Sequence, residues 1–154
     1  MRLIFYIIIG LALGWWEGVV VIYIREILTA LQPDLTKLTI SQLTIPLIIT
    51  REKGYSLLFI EKTREITPII IILCFSFLCE KKIKRKIATF FLIFAIWDLF
   101  YYLTLKILIN WPPSLKTIDC LFLIPSPWIA PVWVPIVIMV IFLLISGYIF
   151  KKVK

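Results

Sequence analysis

The sequence predicts an all-α integral membrane protein: a four-helix transmembrane bundle with a Pro/Trp-rich interfacial segment between its third and fourth spans. Three observations lead there. Hydrophobic residues make up 62% of the 154 residues and the mean hydropathy is +1.03, well above the roughly 45–50% apolar content of soluble domains. The apolar residues gather into runs long enough to cross a bilayer core of ~30 Å at ~1.5 Å per helical residue. The basic residues concentrate in places that an even number of crossings puts on one side. The chain is read as a single transmembrane domain over residues 1–154, with spans at about 3–24, 56–79, 87–109 and 132–150.

The first span is the run from Leu3 to Ile24, interrupted only by Glu17. A cleaved signal peptide is the competing reading, with Ala12-Leu13-Gly14 as a small-residue site. Against it, the amino-terminal flank carries only Arg2 and the apolar run continues through Val19–Ile24. Residues 29–55 are more polar, with Pro33, Pro46 and Gly54 as breakers, and their mixed stretch from Leu38 to Ile45 is too short to span. The second span is incomplete as an apolar run, because Pro68 to Cys79 provides only 12 residues. It must begin near Ser56 and carry Glu61, Lys62, Arg64 and Glu65 toward the membrane. Pro68 donates no hydrogen bond, so a kink or a fresh helix start capped by Thr67 is expected there.

The third span runs from Ile87 to Ile109 with Asp98 near its middle; the fourth runs from Val132 to Phe150, with Pro135 in its first turn. Between them, Trp111-Pro112-Pro113-Ser114 precedes Leu121-Phe122-Leu123-Ile124-Pro125-Ser126-Pro127-Trp128. Trp111 and Trp128 suit the headgroup level, and the segment is expected to dip into or pack on one membrane face.

Orientation follows from charge. Arg2, the loop Lys81–Lys86 and the tail Lys151–Lys154 together hold nine Lys/Arg against one acid, Glu80, while the remainder balances eight bases with eight acids. The positive-inside rule makes these three places cytoplasmic, giving a multi-pass protein of the inner (cytoplasmic) membrane with both ends in. The whole net charge of +8 is then topological. It points to anionic lipid headgroups as a contact and not to nucleic acid.

The ionisable residues within or near the spans need partners, since each costs several kcal/mol unpaired. Glu17, Arg25, Glu61, Arg64, Glu65, Asp98 and Asp119 form a candidate intramembrane polar site, with Lys106 at the same level. Antiparallel packing brings the outer ends of the first three spans together. Glu61 and Glu65 share a helix face, with Lys62 three residues before Glu65 on that side. Tyr101 and Tyr102, three and four residues after Asp98, put a phenol near its carboxylate. Glu17 and Arg25 lie about 80° apart on their helix, and Glu26 lies roughly opposite Glu17. Two readings stay open: ion pairs that fix helix register, or a polar site that binds a cation, a proton or a headgroup.

Named reactions find little support. The chain has no histidine, which removes the commonest zinc and haem ligand and the commonest neutral-pH proton shuttle. Glu17, Glu65 and Asp98 are hard oxygen donors of the kind that suits Mg, Ca or Mn, but neighbouring Arg25 and Arg64 compete for them; no metal or cofactor is expected. Cys74 and Cys79 lie in an apolar run and act as small hydrophobes, and Cys120 has no nearby partner. Ser114 has no histidine to activate it.

The stretch Trp97-Asp98, Tyr101-Tyr102, Trp111-Pro112-Pro113-Ser114, Asp119, Leu121-Phe122-Leu123-Ile124-Pro125, Pro127-Trp128 and Pro131-Val132 resembles a pattern in small bacterial four-helix membrane proteins of no known activity. It covers about a quarter of the chain, and the resemblance implies a recurrent membrane-protein type without a site assignment. Four spans with Glu17 midway along the first also resemble the small multidrug transporters, in which such a glutamate exchanges protons for drug cations. This chain departs from them in its length, its large outer segment and the cations Arg25 and Arg64 near the glutamate.

The first functional expectation is a non-catalytic subunit or accessory component of a membrane complex, whose partners are the lipid bilayer and other membrane subunits. The alternatives are a membrane-embedded enzyme or lipid-handling protein using Glu17, Arg64, Glu65 and Asp98, and a small proton-coupled transporter built on Glu17 and Asp98.

Overall fold

A computed structural model describes residues 2–31 and 54–153. It is mostly helical, and the described residues form four helices: α1 (Arg2–Leu31), α2 (Gly54–Cys79), α3 (Ile83–Ile109) and α4 (Trp133–Lys152). Within α1, α3 and α4 lie segments long and apolar enough to cross a membrane. The expectation for Leu38–Ile45 lies outside the described residues.

The second helix overturns one of the two expectations at Pro68, the fresh helix start. It runs unbroken through Pro68, and Thr67 does not cap a new start: its hydroxyl donates to the Thr63 carbonyl at 2.7 Å, a bond made inside a continuing helix. The third helix starts a turn earlier than expected and takes Lys84, Arg85 and Lys86 into its first turn. It stops at Asn110, which adopts the left-handed conformation (φ 54°) that ends many helices. Lys106 then donates to the carbonyls of Asn110 and Pro112 (3.5 and 3.1 Å), satisfying that end. Lys106 therefore serves the helix terminus.

The segment between α3 and α4 is the larger correction. Where the sequence reads as all-α, it folds as an antiparallel hairpin, β1 (Ile118–Phe122) with β2 (Trp128–Pro131), pairing Asp119 with Ala130 and Cys120 with Ile129. Two backbone bonds seat it on the start of α4: Val132 N–H donates to the Thr117 carbonyl and Trp133 N–H to that of Leu115, both at 3.0 Å. The Trp111–Pro112 and Ile124–Pro125 peptides are cis. The hairpin packs on the helices, burying Asp119 and Leu123 and stacking Phe122 on Phe94 of α3.

Central position belongs to α3, which packs against α1, α4 and α2. Its contact with α1 is the closest because α1 presents Gly10, Gly14 and Gly18 at i+4 spacing. A Cβ at Gly14 would lie 2.6 Å from the Trp97 carbonyl oxygen, and one at Gly18 the same distance from Thr104 Cγ2. This is the small-residue stripe that lets membrane helices approach at backbone distance, where dispersion replaces the missing hydrophobic drive. Two core clusters follow from it, one around Tyr6, Ile72, Ile93 and Trp97 and the other around Tyr102, Leu105, Trp111 and Val132. Between α3 and α4 the buried Ser146 hydroxyl donates to the Ala88 carbonyl at 2.8 Å.

At the end away from the hairpin, buried Glu80 gathers the chain. Its carboxylate accepts from Tyr6 (2.9 Å) and from Arg85 Nε (2.8 Å), and Arg85 also donates to the Val153 carbonyl (3.0 Å). The Arg85 guanidinium holds the Glu80 carboxyl below its ordinary range, with help from the Tyr6 hydroxyl, against the opposing effect of burial. Tyr6 of α1 thus meets the residue after α2, while Glu17 of α1 meets Arg64 earlier in α2. The two helices therefore run antiparallel, side by side, bridged by long side chains. Most large apolar side chains on their outer faces are exposed, among them Phe59, Ile70, Leu73 and Leu78, a surface that suits lipid rather than water.

Candidate functional site: a carboxylate–arginine cavity under the hairpin

Four elements converge below the hairpin. The 3.6-residue period puts Glu61, Arg64 and Glu65 of α2 on one face, turned toward Glu17 and Arg25 of α1, and the strand β1 lowers Asp119 and Cys120 onto them. Together with Tyr101 of α3 they line a cavity of about 80 Å³. A second cavity of about 40 Å³ shares Glu17, Glu65 and Tyr101 and adds Trp97 and Asp98. All seven residues picked out in the sequence thus border two adjoining cavities.

Arg64 is the hub. Its Nη1 donates to Glu17 Oε1 at 2.5 Å, and its Nη2 and Nε donate to Glu61 Oε1 and Oε2 at 2.5 and 2.9 Å. The planar guanidinium suits this task, because one edge takes Glu61 bidentately while the remaining nitrogen reaches Glu17. Glu65 is bound differently: its Oε2 accepts the Leu123 backbone N–H at 2.8 Å, so α2 carries part of the hairpin directly. Arg25 lies against Trp111, its guanidinium carbon 4.1 Å from the ring centroid.

The buried Asp119 accepts from the Tyr102 hydroxyl at 3.0 Å. Burial pushes its carboxyl above the ordinary range, opposed by the charge of Arg25, the Tyr102 hydroxyl and the Cys120 backbone N–H. The Cys120 thiol is pushed up to about 12, first by burial and then by Glu65 and Asp119. It stays a thiol at neutral pH and is neither nucleophile nor ready ligand.

Several pairings differ from the sequence expectation. Of the two phenols expected near Asp98, Tyr101 shares a cavity with it, whereas Tyr102 bonds Asp119, which the hairpin register brings within reach. Lys62 donates to the Pro125 carbonyl at 3.2 Å instead of supporting Glu65, and Glu61 takes Arg64 three residues on. Glu26 is exposed, on the side away from Glu17 as expected. Trp111 packs in the buried second core cluster and against Arg25, whereas Trp128 is half exposed. Sequence reasoning missed Trp97, Cys120 and the Leu123 backbone. Trp97 adjoins Asp98 in sequence, a signal that was available; the other two depend on the hairpin.

Among the described residues, five carboxylates and two guanidiniums border the paired cavities. Among the described residues, no group of three or more His, Cys, Asp or Glu side chains is disposed to hold a metal ion. No family model matches the chain, and neither a curated protein nor a solved structure is significantly similar to it. The chemistry of the site therefore rests on its own geometry.

Proposed function

We propose that the chain is a four-span protein of the inner membrane, with both ends cytoplasmic, whose working part is the carboxylate–arginine cavity. In this reading the hairpin lies at the outer face and the cavity takes up protons or small cations arriving from that side. One observation carries it: five carboxylates face two guanidiniums in a largely buried space. Were all seven ionised, three negative charges would stand in excess among the described residues. A buried uncompensated charge costs several kcal/mol, so the site draws in positive charge. Its dimensions admit water, a proton or a small ion and exclude a drug-sized molecule.

Such a site serves a proton- or cation-coupled step, whether the chain acts alone or as a small component of a larger membrane assembly. Arg64 then has a positioning role, holding Glu17 and Glu61 in place, while Glu65, Asp98 and Asp119 supply acidic oxygens without a guanidinium bond of this kind.

The test is proton uptake by the detergent-solubilised protein in weakly buffered solution, followed on acidification through neutrality. It is repeated with sodium, magnesium, calcium or methylammonium added. The parent should take up more protons than Glu65→Gln/Asp98→Asn, or release protons when a cation is added. Equal uptake by the two, with no cation response from either, would falsify the proposal.

A further inference from the structure

The smaller cavity gathers buried polar atoms around one space. Among its lining residues, three carry a buried polar atom with no hydrogen-bond partner among the described residues: Glu17 Oε2, Asp98 Oδ2 and Trp97 Nε1. Glu17 and Trp97 are only 8% and 5% exposed. Leaving a buried polar atom unsatisfied costs about 1–3 kcal/mol, so three around one small space call for a shared partner. The volume of about 40 Å³ exceeds the roughly 10–15 Å³ that the centre of a water molecule needs, and leaves no room for an organic ligand.

The donor and acceptor types decide what that partner is. An indole N–H can only donate, so the occupant must accept a hydrogen bond. A bare metal cation accepts none and would face the positive end of the N–H dipole. Water accepts from Trp97 and can donate to both carboxylates. Charge then requires one thing more. Glu17 already shares Arg64 with Glu61, so its second oxygen is not fully neutralised.

Among the described residues, the other charged groups near Asp98 bring it no cation of its own. Glu17 faces it from α1 and Glu65 from α2, Tyr101 borders it on α3, and Asp119 with its counter-charge Arg25 lies beyond. On the α4 side it meets only apolar groups, among them Pro135, Met139 and Phe142. Two carboxylates that line one small cavity, one of them sharing its guanidinium with a third, can hold a proton between them as aspartic dyads do.

We infer that this cavity is a proton-binding site, in which Asp98 and Glu17 share one exchangeable proton through water anchored by the Trp97 indole N–H. The inference rests on the cation-uptake reading above and narrows it to protons at this position. Asp98 is the resting seat of the proton in this inference, because Arg64 donates to Glu17 and, among the described residues, no guanidinium donates to Asp98. Transfer breaks the O–H bond at Asp98 as one forms on water, and the proton leaves through the larger cavity, which shares Glu17, Glu65 and Tyr101.

Infrared difference spectra of the reconstituted protein read this directly, through the carbonyl stretch of a protonated carboxyl group in light and heavy water. The expected result is a carboxylic band near neutral pH that disappears in Asp98→Asn, shifts in Trp97→Phe, and is unmoved by sodium, magnesium or calcium. A band retained in Asp98→Asn overturns the inference, as does one abolished by a metal cation; both leave the broader cation-uptake reading standing. Absence of uptake and of any cation response removes both. If Asp98→Asn fails to fold, Trp97→Phe carries the test alone, since it keeps every charge, and an unshifted band there overturns the water bridge.

Discussion

Glu80 and Glu17 show how much one carboxylate can organise in a chain of this composition. Both are nearly buried and both accept from an arginine, but Glu80 also ties Tyr6 of α1 to Arg85 of α3, and through Arg85 to the end of α4. The consequence for pH has a definite sign. Because its carboxyl is depressed in the folded protein, the contribution of Glu80 is complete above the ordinary carboxylate value of 4.5. It is lost as pH falls through the folded value. Glu80→Gln keeps the shape and removes the charge. It should lower thermal stability at neutral pH by the equivalent of about 1.5–3 kcal/mol, the range for hydrogen bonds to charged groups. Melting curves in detergent should show the gap between parent and variant closing under acid; a gap independent of pH would mean that packing, not charge, holds this end together. The identity of the site residues was legible in the sequence for a simple reason. A charge inside an apolar run costs too much to be incidental, so Glu17, Arg64 and Asp98 announce themselves. Their partners were not legible: whether Tyr102 turns to Asp98 or Asp119 depends on a strand register that no local spacing encodes.

At the scale of elements, the helices were readable and the hairpin was not. Long apolar runs fix helices in lipid because every backbone group must be satisfied within the segment. A run of four or five apolar residues flanked by prolines carries no period that separates a strand from a dipping loop. The glycine stripe of α1 lay in plain view at i+4 spacing, yet its meaning needed a partner helix. Its energetic weight can be tested by contrast. A side chain at Gly14 meets the Trp97 carbonyl oxygen and the Tyr101 backbone nitrogen, which cannot swing aside, while one at Gly147 meets nothing within 4 Å. Gly14→Leu should therefore push α1 off α3 and dismantle the cavity, since Glu17 sits three residues further along the same helix. Its thermal midpoint should fall well below the parent's, whereas Gly147→Leu should melt with the parent. Equal melting of the two variants would refute close α1–α3 packing as the source of the bundle's cohesion.

For the whole molecule the open question is how many times the chain crosses, and α2 decides it. Its hydropathy is spoiled by Glu61, Lys62, Arg64 and Glu65, which a window along the sequence counts as facing lipid. In the fold, Glu61, Arg64 and Glu65 turn inward to the cavity, and its outer face is apolar at Phe59, Ile60, Ile70, Ile71 and Leu73. A helix with its charges paired inside the protein presents lipid with the same surface as an uncharged one. Alongside α1 and antiparallel to it, α2 is positioned to cross wherever α1 does. The distribution of charge agrees, since nine of the 17 Lys/Arg fall at the Glu80 end and in the tail, with a single acid among them. Four crossings require Arg2, Lys81 and Lys152 to share one side and Ser114 to face the other; three crossings, with α2 turned back, place Arg2 and Lys81 on opposite sides. Single-cysteine variants Arg2→Cys, Lys81→Cys, Lys152→Cys and Ser114→Cys, made with Cys74, Cys79 and Cys120 replaced by serine, separate the two arrangements. A membrane-impermeant maleimide applied to intact cells should label Ser114→Cys alone, and the other three should label only once the membrane is opened. Labelling of Lys81→Cys from outside, with Arg2→Cys protected, would reduce α2 to a re-entrant helix and turn the cavity mouth toward a different compartment.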